Sequence, residues 1–171
     1  MSELAETTQF LAGREPWSLL PPGEAAAYAR RATASYVRRG TQILTAGSPN
    51  SRMHVIRSGA VEVRDADGVL IDHDEEGHCF GQSSILEERP SRFTFTATED
   101  TLLWSFEADV VRELVANPRV LRFFTESRLS DTTRQASEDG PVLQVAVADM
   151  ITRPPVTIDV ESTVGDAAVV M

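Results

Sequence analysis

The sequence predicts a mainly β domain, a small closed barrel or sandwich, with helices on either side. Residues 1–34 have helical composition, interrupted by proline. Residues 35–106 consist of short β-branched and apolar runs separated by glycines, which is typical of many short strands joined by turns. From residue 107 to residue 136 the apolar residues return to helical spacing. We therefore expect a β core between an N-terminal helical segment and C-terminal helices.

Each predicted element has a local reason. The segment "GEAAAYARRA" is the clearest N-terminal helix, because alanine and arginine favour helices. The segment "VEVRDADGVLIDHD" is the clearest hairpin, with Asp67-Gly68 as the turn. In "EADVVRELVA" Val110, Leu114 and Val115 share one helical face, and Asn117-Pro118 ends that helix. A second helix is expected over residues 119–135.

Composition limits the function classes. The 171 residues, 42% hydrophobic and 25% charged, fit one globular domain with a short remainder, and no apolar run is long enough to span a bilayer. The first ten residues lack the basic start and apolar stretch of a signal peptide, so we expect a cytoplasmic protein with no membrane partner. The formal net charge of −10 disfavours nucleic acid as a partner.

The cysteine and histidine content argues against metal and thiol chemistry. The single Cys79 excludes an internal disulfide, and its apolar neighbour Phe80 predicts a buried, inert thiol. His54, His73 and His78 have the wrong spacing for a two-histidine metal strand, so we expect surface histidines and no metal site.

Several glycines and apolar positions in register resemble the cyclic-nucleotide-binding domain of catabolite activator proteins, kinase regulatory subunits and gated channels. They are "RRGTQILTAGSPNSRMHVIRSGAVEV" followed by "FGQSSIL", and the resemblance covers about residues 10–128. It implies a jelly-roll-like β-barrel with N-terminal and C-terminal helices and a ligand-binding segment over residues 80–97. The bound cofactor it implies is a cyclic nucleotide or another small anion.

The resemblance implies a phosphate site with two parts: backbone donors at the start of a short helix, and an arginine side chain. In the family, backbone N–H groups of a short helix hold the cyclic phosphate, and here the corresponding turn consists of Phe80, Gly81, Gln82, Ser83 and Ser84. These donors do not depend on side-chain identity. The family glutamate that accepts from the ribose hydroxyl aligns with Gln82, which accepts without charge assistance. We expect the two serines to cap this helix.

The family arginine that clamps the phosphate is displaced. Aligning "PSRFTFTA" with the family run Pro-Arg-x-Ala-Thr-Val-x-Ala puts Ser91 in the arginine position. Side chains alternate along a strand, so if Phe93 faces inward, Arg92 faces away with Thr94. Phe93 also takes the place of a small alanine. We therefore expect weak or no binding of cAMP or cGMP; a bulge after Pro90 that turns Arg92 inward is the alternative.

The tail resembles a second family. "VADMITRPPVTIDVESTVGDAAVVM", in residues 142–171, resembles the first half of a CBS motif, and residues 137–141 have linker composition. This layout is similar to bacterial signal-transduction proteins that join cyclic-nucleotide-binding, CBS and nucleotidyltransferase-like regions. It implies that the 171 residues are the front part of a longer regulatory protein.

Four functions remain open from the sequence. The first is a regulatory binding module that passes a signal through its C-terminal helices to its own downstream domains. The second is a ligand-free interaction module, with a homodimer formed through those helices, where Leu121, Phe123 and Phe124 are interpreted mainly as packing residues. A metal-dependent cupin-like enzyme and a transcription factor fit less well, because neither a catalytic set nor a helix-turn-helix is recognisable. The sequence therefore predicts a protein domain that is not an enzyme.

Overall fold

The computed structural model describes residues 3–126. The predicted linker at residues 137–141 and the CBS-like segment at residues 142–171 lie outside the described residues. So does the part of the second C-terminal helix beyond residue 126. Among the described residues, no helix is both long enough and apolar enough to cross a bilayer.

Helices begin and end the described chain. Helix α1 spans Glu3–Ala12 and α2 spans Ala25–Ala29, with a 3₁₀ turn over Trp17–Leu19 between them. Helix α4 spans Ala108–Val115, and residues 118–126 are helical again after the predicted break at Asn117-Pro118.

Eight strands and one short helix, α3 at Gln82–Glu87, lie between these helices. The strands are β1 Thr33–Val37, β2 Gln42–Leu44, β3 Arg52–Ser58, β4 Val61–Arg64, β5 Leu70–Asp74, β6 Cys79–Phe80, β7 Thr94–Ala97 and β8 Thr101–Glu107. They form two four-stranded antiparallel sheets, in the orders β1-β8-β3-β6 and β2-β7-β4-β5. This is the mainly β, jelly-roll-like fold with flanking helices that the sequence predicts.

The predicted hairpin is confirmed. Strands β4 and β5 pair from Val61 opposite Asp74 to Arg64 opposite Leu70. The turn between them needs glycine at one place, since Gly68 has a φ of +84°. The Asp65 carboxylate accepts the Asp67 and Val69 N–H groups and fixes the rest of the turn.

Two apolar clusters divide the interior. The inner cluster takes side chains from both sheets: Leu44, Ile56, Val61, Val63, Phe80, Phe95 and Leu103. The outer cluster lies between the β1-β8-β3-β6 sheet and the helices, and includes Trp17, Met53, Trp104 and Phe106. Alternation along β8 explains the division, because Leu103 belongs to the inner cluster while Trp104 belongs to the outer one. The prediction that Trp104 and Phe106 are core residues is confirmed.

The C-terminal helices pack on the outer cluster with a face slightly different from the predicted one. Val110 and Leu114 are buried as expected, but the third fully buried residue of α4 is Val111 and Val115 is only half-buried. In the next helix Phe124 is buried, whereas Leu121 is 49% exposed, so the packing interpretation is wrong for Leu121.

Candidate functional site

A pocket opens beside α3, at the start of β7. It encloses about 310 Å³ of empty space, counting the solvent at its mouth. Its lining residues are Gly81, Ser83, Ser84, Glu87, Pro90, Ser91, Arg92, Phe93 and Phe95. The structure therefore brings together six of the residues singled out from the sequence and adds Glu87, Pro90 and Phe95 to them.

Gly81 sets the direction of the chain into α3. Its φ of +86° is in the left-handed region that side chains disfavour. A Cβ at this position would also lie 2.6 Å from the Arg52 carbonyl oxygen and 3.0 Å from the Asn50 amide nitrogen. Glycine is therefore required here by both backbone conformation and space.

The predicted serine caps on α3 are wrong. The N-cap residue is Gly81, and no side chain caps the helix there. The Ser84 hydroxyl instead donates to the Gly81 carbonyl oxygen at 2.9 Å. Gly81 has no side chain that could cap the helix, and the Ser84 hydroxyl bonds back to the Gly81 carbonyl oxygen rather than to the first N–H groups of α3.

Asn50 organises this turn and was missed by the sequence reasoning. Its Nδ2 donates to the carbonyl oxygens of Gly81 and Arg52, both at 2.8 Å, and lies 3.0 Å from the Ser84 hydroxyl. Its Oδ1 accepts the Arg52 N–H at 3.0 Å. No local pattern marks Asn50 as different from other loop asparagines, because its main partners are 31 and 34 residues away in sequence.

We expect Asn50→Ala to lower the free energy of unfolding by about 1–3 kcal/mol, because several partly buried hydrogen bonds are lost together. Urea denaturation monitored by circular dichroism measures the change. Ser48→Ala is the control, since it removes one exposed hydrogen bond to the Thr45 carbonyl in the same loop. Its expected cost is below about 0.5 kcal/mol. Equal losses in the two variants would contradict the proposed role of Asn50.

The Ser91 hydroxyl is used within the protein. Ser91 is 7% exposed, and its Oγ donates to the Phe93 carbonyl oxygen at 2.8 Å. Its backbone is bonded to the β2–β3 loop, since its N–H donates to Ser48 and its carbonyl accepts from Gly47. These contacts hold residues 91–93 against that loop before the regular strand β7 begins at Thr94.

Arg92 and Phe93 form the outer part of the pocket wall. Arg92 is exposed, Phe93 is half-buried, and the guanidinium carbon lies 5.6 Å from the centroid of the Phe93 ring. Both residues line the pocket. A cation stacked on an aromatic face at an exposed position gains little free energy, so this contact leaves the Arg92 side chain free to take other rotamers.

Three residues singled out from the sequence do not line the pocket. Phe80 is buried in the inner cluster. The Thr94 hydroxyl accepts the Ala46 N–H at 3.0 Å. The Gln82 side chain turns into the protein, where its Oε1 is buried without a hydrogen-bond partner among the described residues.

Glu87 is the main lining residue that sequence reasoning missed. Its side chain is 13% exposed and forms an ion pair with Arg89, whose side chain is 67% exposed. A signal for Glu87 is present in the sequence, because it follows Ser84 by three residues and Ser83 by four, the spacing of one helix face.

His54 corrects a prediction, because it is not a surface histidine. Its ring stacks on Phe80 at 5.1 Å between centroids, and Phe80 stacks on Phe95 at 4.6 Å. Its Nδ1 lies 2.8 Å from the Ser105 hydroxyl. Burial, with a smaller contribution from the Arg52 charge, lowers the pKa of His54 to about 4. His54 is therefore neutral at pH 7.

The remaining candidates for metal binding and thiol chemistry, two histidines and the cysteine, do not line the pocket. His73 and His78 are exposed. Cys79 keeps some exposed surface, yet desolvation of its thiol raises the pKa to about 12. Within residues 3–126 no three His, Cys, Asp or Glu side chains are grouped so that they could hold a metal ion.

Comparison with curated proteins finds two relatives. The cAMP-dependent protein kinase regulatory subunit of Yarrowia lipolytica is 30% identical over 76 residues, covering 44% of this chain and 20% of that protein. Glutaminase 1 of Bradyrhizobium diazoefficiens is 31% identical over 116 residues, covering 66% of this chain and 18% of that protein. The chain thus spans about a fifth of the length of these relatives.

Solved structures show the same fold at low sequence identity. The cAMP-bound kinase regulatory subunit PfPKA-R superposes with a TM-score of 0.68 at 16% identity, over 78% of this chain and 49% of that one. The sensor domain of the transcriptional regulator DNR from Pseudomonas aeruginosa superposes with a TM-score of 0.65 at 16% identity, over 85% of this chain and 100% of that one. The regulatory subunit of a cAMP-independent protein kinase A from Trypanosoma cruzi, bound to guanosine, superposes with a TM-score of 0.56 at 19% identity. The match covers 76% of this chain and 53% of that one.

The family comparison agrees with the fold and with the position of the pocket. Residues 34–117, which include all eight strands but the first residue of β1, together with α3 and α4, match the model of the cyclic nucleotide-binding domain. The lining residues of the pocket all fall inside this match. Over these residues the chain matches the cyclic nucleotide-binding domain family, and its fold is that of kinase regulatory subunits and catabolite activator proteins.

Proposed function

We propose that this chain is the regulatory domain of a bacterial signal-transduction protein, with a degenerate phosphate site that binds cAMP and cGMP weakly or not at all. The observation that carries the proposal is Ser91. It stands in the position of the family arginine, and its hydroxyl is bonded to the Phe93 carbonyl oxygen. The neighbouring Arg92 is exposed at the outer part of the same pocket wall.

The size of the lost interaction supports weak binding. A bidentate, desolvated contact between arginine and phosphate contributes on the order of 2–5 kcal/mol, which corresponds to tens to thousands in affinity. A hydroxyl cannot replace this charge. The partly buried Glu87 carboxylate on the same wall adds repulsion toward an anion.

The fold offers a route from the pocket to the C-terminal helices. Ile85 of α3 belongs to the outer cluster together with Val111 and Leu114 of α4. Arg112 of α4 lies 4.0 Å from Glu88, directly after α3. A displacement of α3 would therefore shift α4, and through it the protein's own downstream domains or a homodimer contact formed by the C-terminal helices.

Isothermal titration calorimetry of the full chain with cAMP and with cGMP tests the proposal. We expect dissociation constants in the high micromolar range or above, or no measurable heat. Arg92→Ala is the informative variant, because the alternative model has Arg92 turned into the pocket. If the wild type binds either nucleotide with low-micromolar affinity and Arg92→Ala loses this binding, the degenerate site is contradicted. The model with Arg92 turned into the pocket would then be supported.

A second function is favoured by the space in the pocket. The rings of Phe93 and Phe95 line the pocket, and much of its 310 Å³ of empty space is solvent at the open mouth, so the enclosed part is smaller than the roughly 300–1,000 Å³ of small-molecule sites. A domain whose pocket is filled by its own side chains would act as a ligand-free interaction or dimerisation module. The guanosine-bound trypanosome subunit instead gives precedent for a ligand without phosphate in this fold.

A further inference from the structure

A cluster of charged and aromatic side chains joins helix α1 to the β1-β8-β3-β6 sheet, outside the pocket. At its centre the Phe10 ring packs edge-on against Trp104, with 4.8 Å between the ring centroids. The guanidinium carbons of Arg14 and Arg57 lie 3.8 Å and 4.8 Å from the centroid of the Phe10 ring. With two carboxylates these residues form the arginine–aromatic cluster, which consists of Glu6, Phe10, Arg14, Arg57, Glu76 and Trp104.

The ion pairs of the cluster connect three parts of the fold. Arg57 of β3 donates to Glu6 of α1 at 3.0 Å and lies 3.9 Å from Glu76, in the turn between β5 and β6. Arg14, two residues after α1, donates to the other carboxylate oxygen of Glu76 at 2.6 Å. Arg57 is the most enclosed of these charged groups, with a side chain that is 26% exposed. Partial burial strengthens the contacts of its cation with the rings and with the carboxylates.

The turn that carries Glu76 leads directly to the pocket. Strand β6 begins three residues after Glu76, and Gly81 at the start of α3 follows it. The Arg14 side chain lies against this turn, because a Cβ on Gly77 would be 2.9 Å from the Cδ and Nε atoms of Arg14. The place of α1 on the sheet and the position of the turn are therefore joined by direct contacts.

Helix α1 has little stability of its own. It has ten residues, and an isolated helix of this length is marginal in water. Its buried side chains are Thr7, Phe10 and Leu11. The ion pairs that hold it are partly exposed, so salt screens them. Elements with few buried contacts open at a lower free-energy cost than the strands of the core.

We propose that α1 detaches from the sheet while both sheets stay folded, and that the arginine–aromatic cluster controls this opening and links it to the turn before the pocket. This inference goes beyond the proposed function, which places the signal in the C-terminal helices. It gives the pocket a second connection, to the N-terminal helix, and it does not depend on the identity of a ligand.

Hydrogen–deuterium exchange of the full chain, followed by mass spectrometry of its peptides, tests the opening. Arg57→Met keeps an unbranched side chain but removes the cation, so α1 should exchange about tenfold faster while β8 is unchanged. Arg52→Met is the matched control. Arg52 lies on the same strand, and its ion pair with Glu107 is outside the cluster. The control should exchange like the wild type in both segments.

Salt distinguishes the ionic contacts from packing without any substitution. Raising NaCl from about 0.1 M to about 1 M shortens the Debye length from about 10 Å to about 3 Å. Exchange of α1 in the wild type should then become about threefold faster relative to β8. The effect should be smaller in Arg57→Met, which has already lost two of the three ion pairs.

Glu76→Gln tests the link to the turn. The amide loses the charge that both arginines contact, so α1 and the turn over residues 75–78 should both exchange faster. Glu75→Gln is the control, because Glu75 is the preceding residue, is exposed and does not belong to the cluster. It should leave both segments unchanged.

Selective exchange of α1 that rises in Arg57→Met and in salt supports the inference. If α1 and β8 accelerate together, α1 opens only when the whole domain unfolds, and the inference is overturned. Unchanged exchange of α1 in Arg57→Met overturns it as well. An unchanged turn beside a faster α1 in Glu76→Gln overturns the link to the pocket.

Discussion

The double variant Ser91→Arg/Phe93→Ala is expected to gain affinity for cAMP by roughly tens to thousands of fold, equal to about 2–5 kcal/mol. Arginine at position 91 restores a cation at the buried position of the family phosphate clamp. Alanine at position 93 removes the ring that occupies ligand space at the mouth. Calorimetric titration with cAMP at fixed ionic strength measures the gain against the wild type.

Ser91→Gln/Phe93→Ala is the matched control. Glutamine adds a long polar side chain without a charge, so it tests whether the gain comes from the guanidinium or only from the opened pocket. The control should bind cAMP at least about tenfold more weakly than the arginine variant. If both double variants fold and bind cAMP equally, the gain comes from the opened pocket alone, which would contradict the proposed role of position 91 in holding the phosphate.

Acid should destabilise the protein through His54. Its pKa is lowered to about 4 in the folded state from 6.5, so the unfolded state binds more protons between these pH values. The stability that His54 contributes is complete above about pH 6.5 and is lost as the pH falls toward 4. Between pH 7 and about pH 4.5 we expect a loss on the order of 2–3 kcal/mol from this group alone.

The measurement compares urea unfolding of the wild type and His54→Gln over this pH range. Carboxylates also titrate there, and the difference between the two proteins removes their common contribution. The wild type should lose stability more steeply than His54→Gln. The exposed His73 serves as a control, and His73→Gln should follow the wild type. Parallel curves for wild type and His54→Gln would show that the imidazole is solvated in the folded state.

Much of the fold could be predicted because its signals are local. The Asp67-Gly68 turn, the Asn117-Pro118 break and the alternation that buries Trp104 are each fixed by neighbours in sequence. The burial of His54 could not be predicted in this way. Its stacking partner Phe80 and its hydrogen-bond partner Ser105 are joined to it by strand pairing across three strands, β6, β3 and β8.

Family positions and helix spacing predict part of the candidate site. Contacts that come from a distant loop, or from irregular backbone, could not be predicted. Gly81 and Ser91 could be placed from the resemblance, and Glu87 could have been found from its helical spacing to Ser83. Asn50 holds the turn at Gly81 from the β2–β3 loop, through contacts that no sequence pattern indicates. The alternation argument for Arg92 assumes a regular strand, whereas the strand begins only at Thr94.

The position of the two tryptophans has a practical consequence. Trp17 and Trp104 are the only tryptophans of the chain, and both belong to the outer cluster, on the side of the sheet that faces the helices. Their fluorescence emission therefore reports the environment between sheet and helices rather than the interior of the pocket. A compound that fills the cavity without moving the helices would bind with an unchanged emission spectrum, whereas a compound that transmits a signal would shift it.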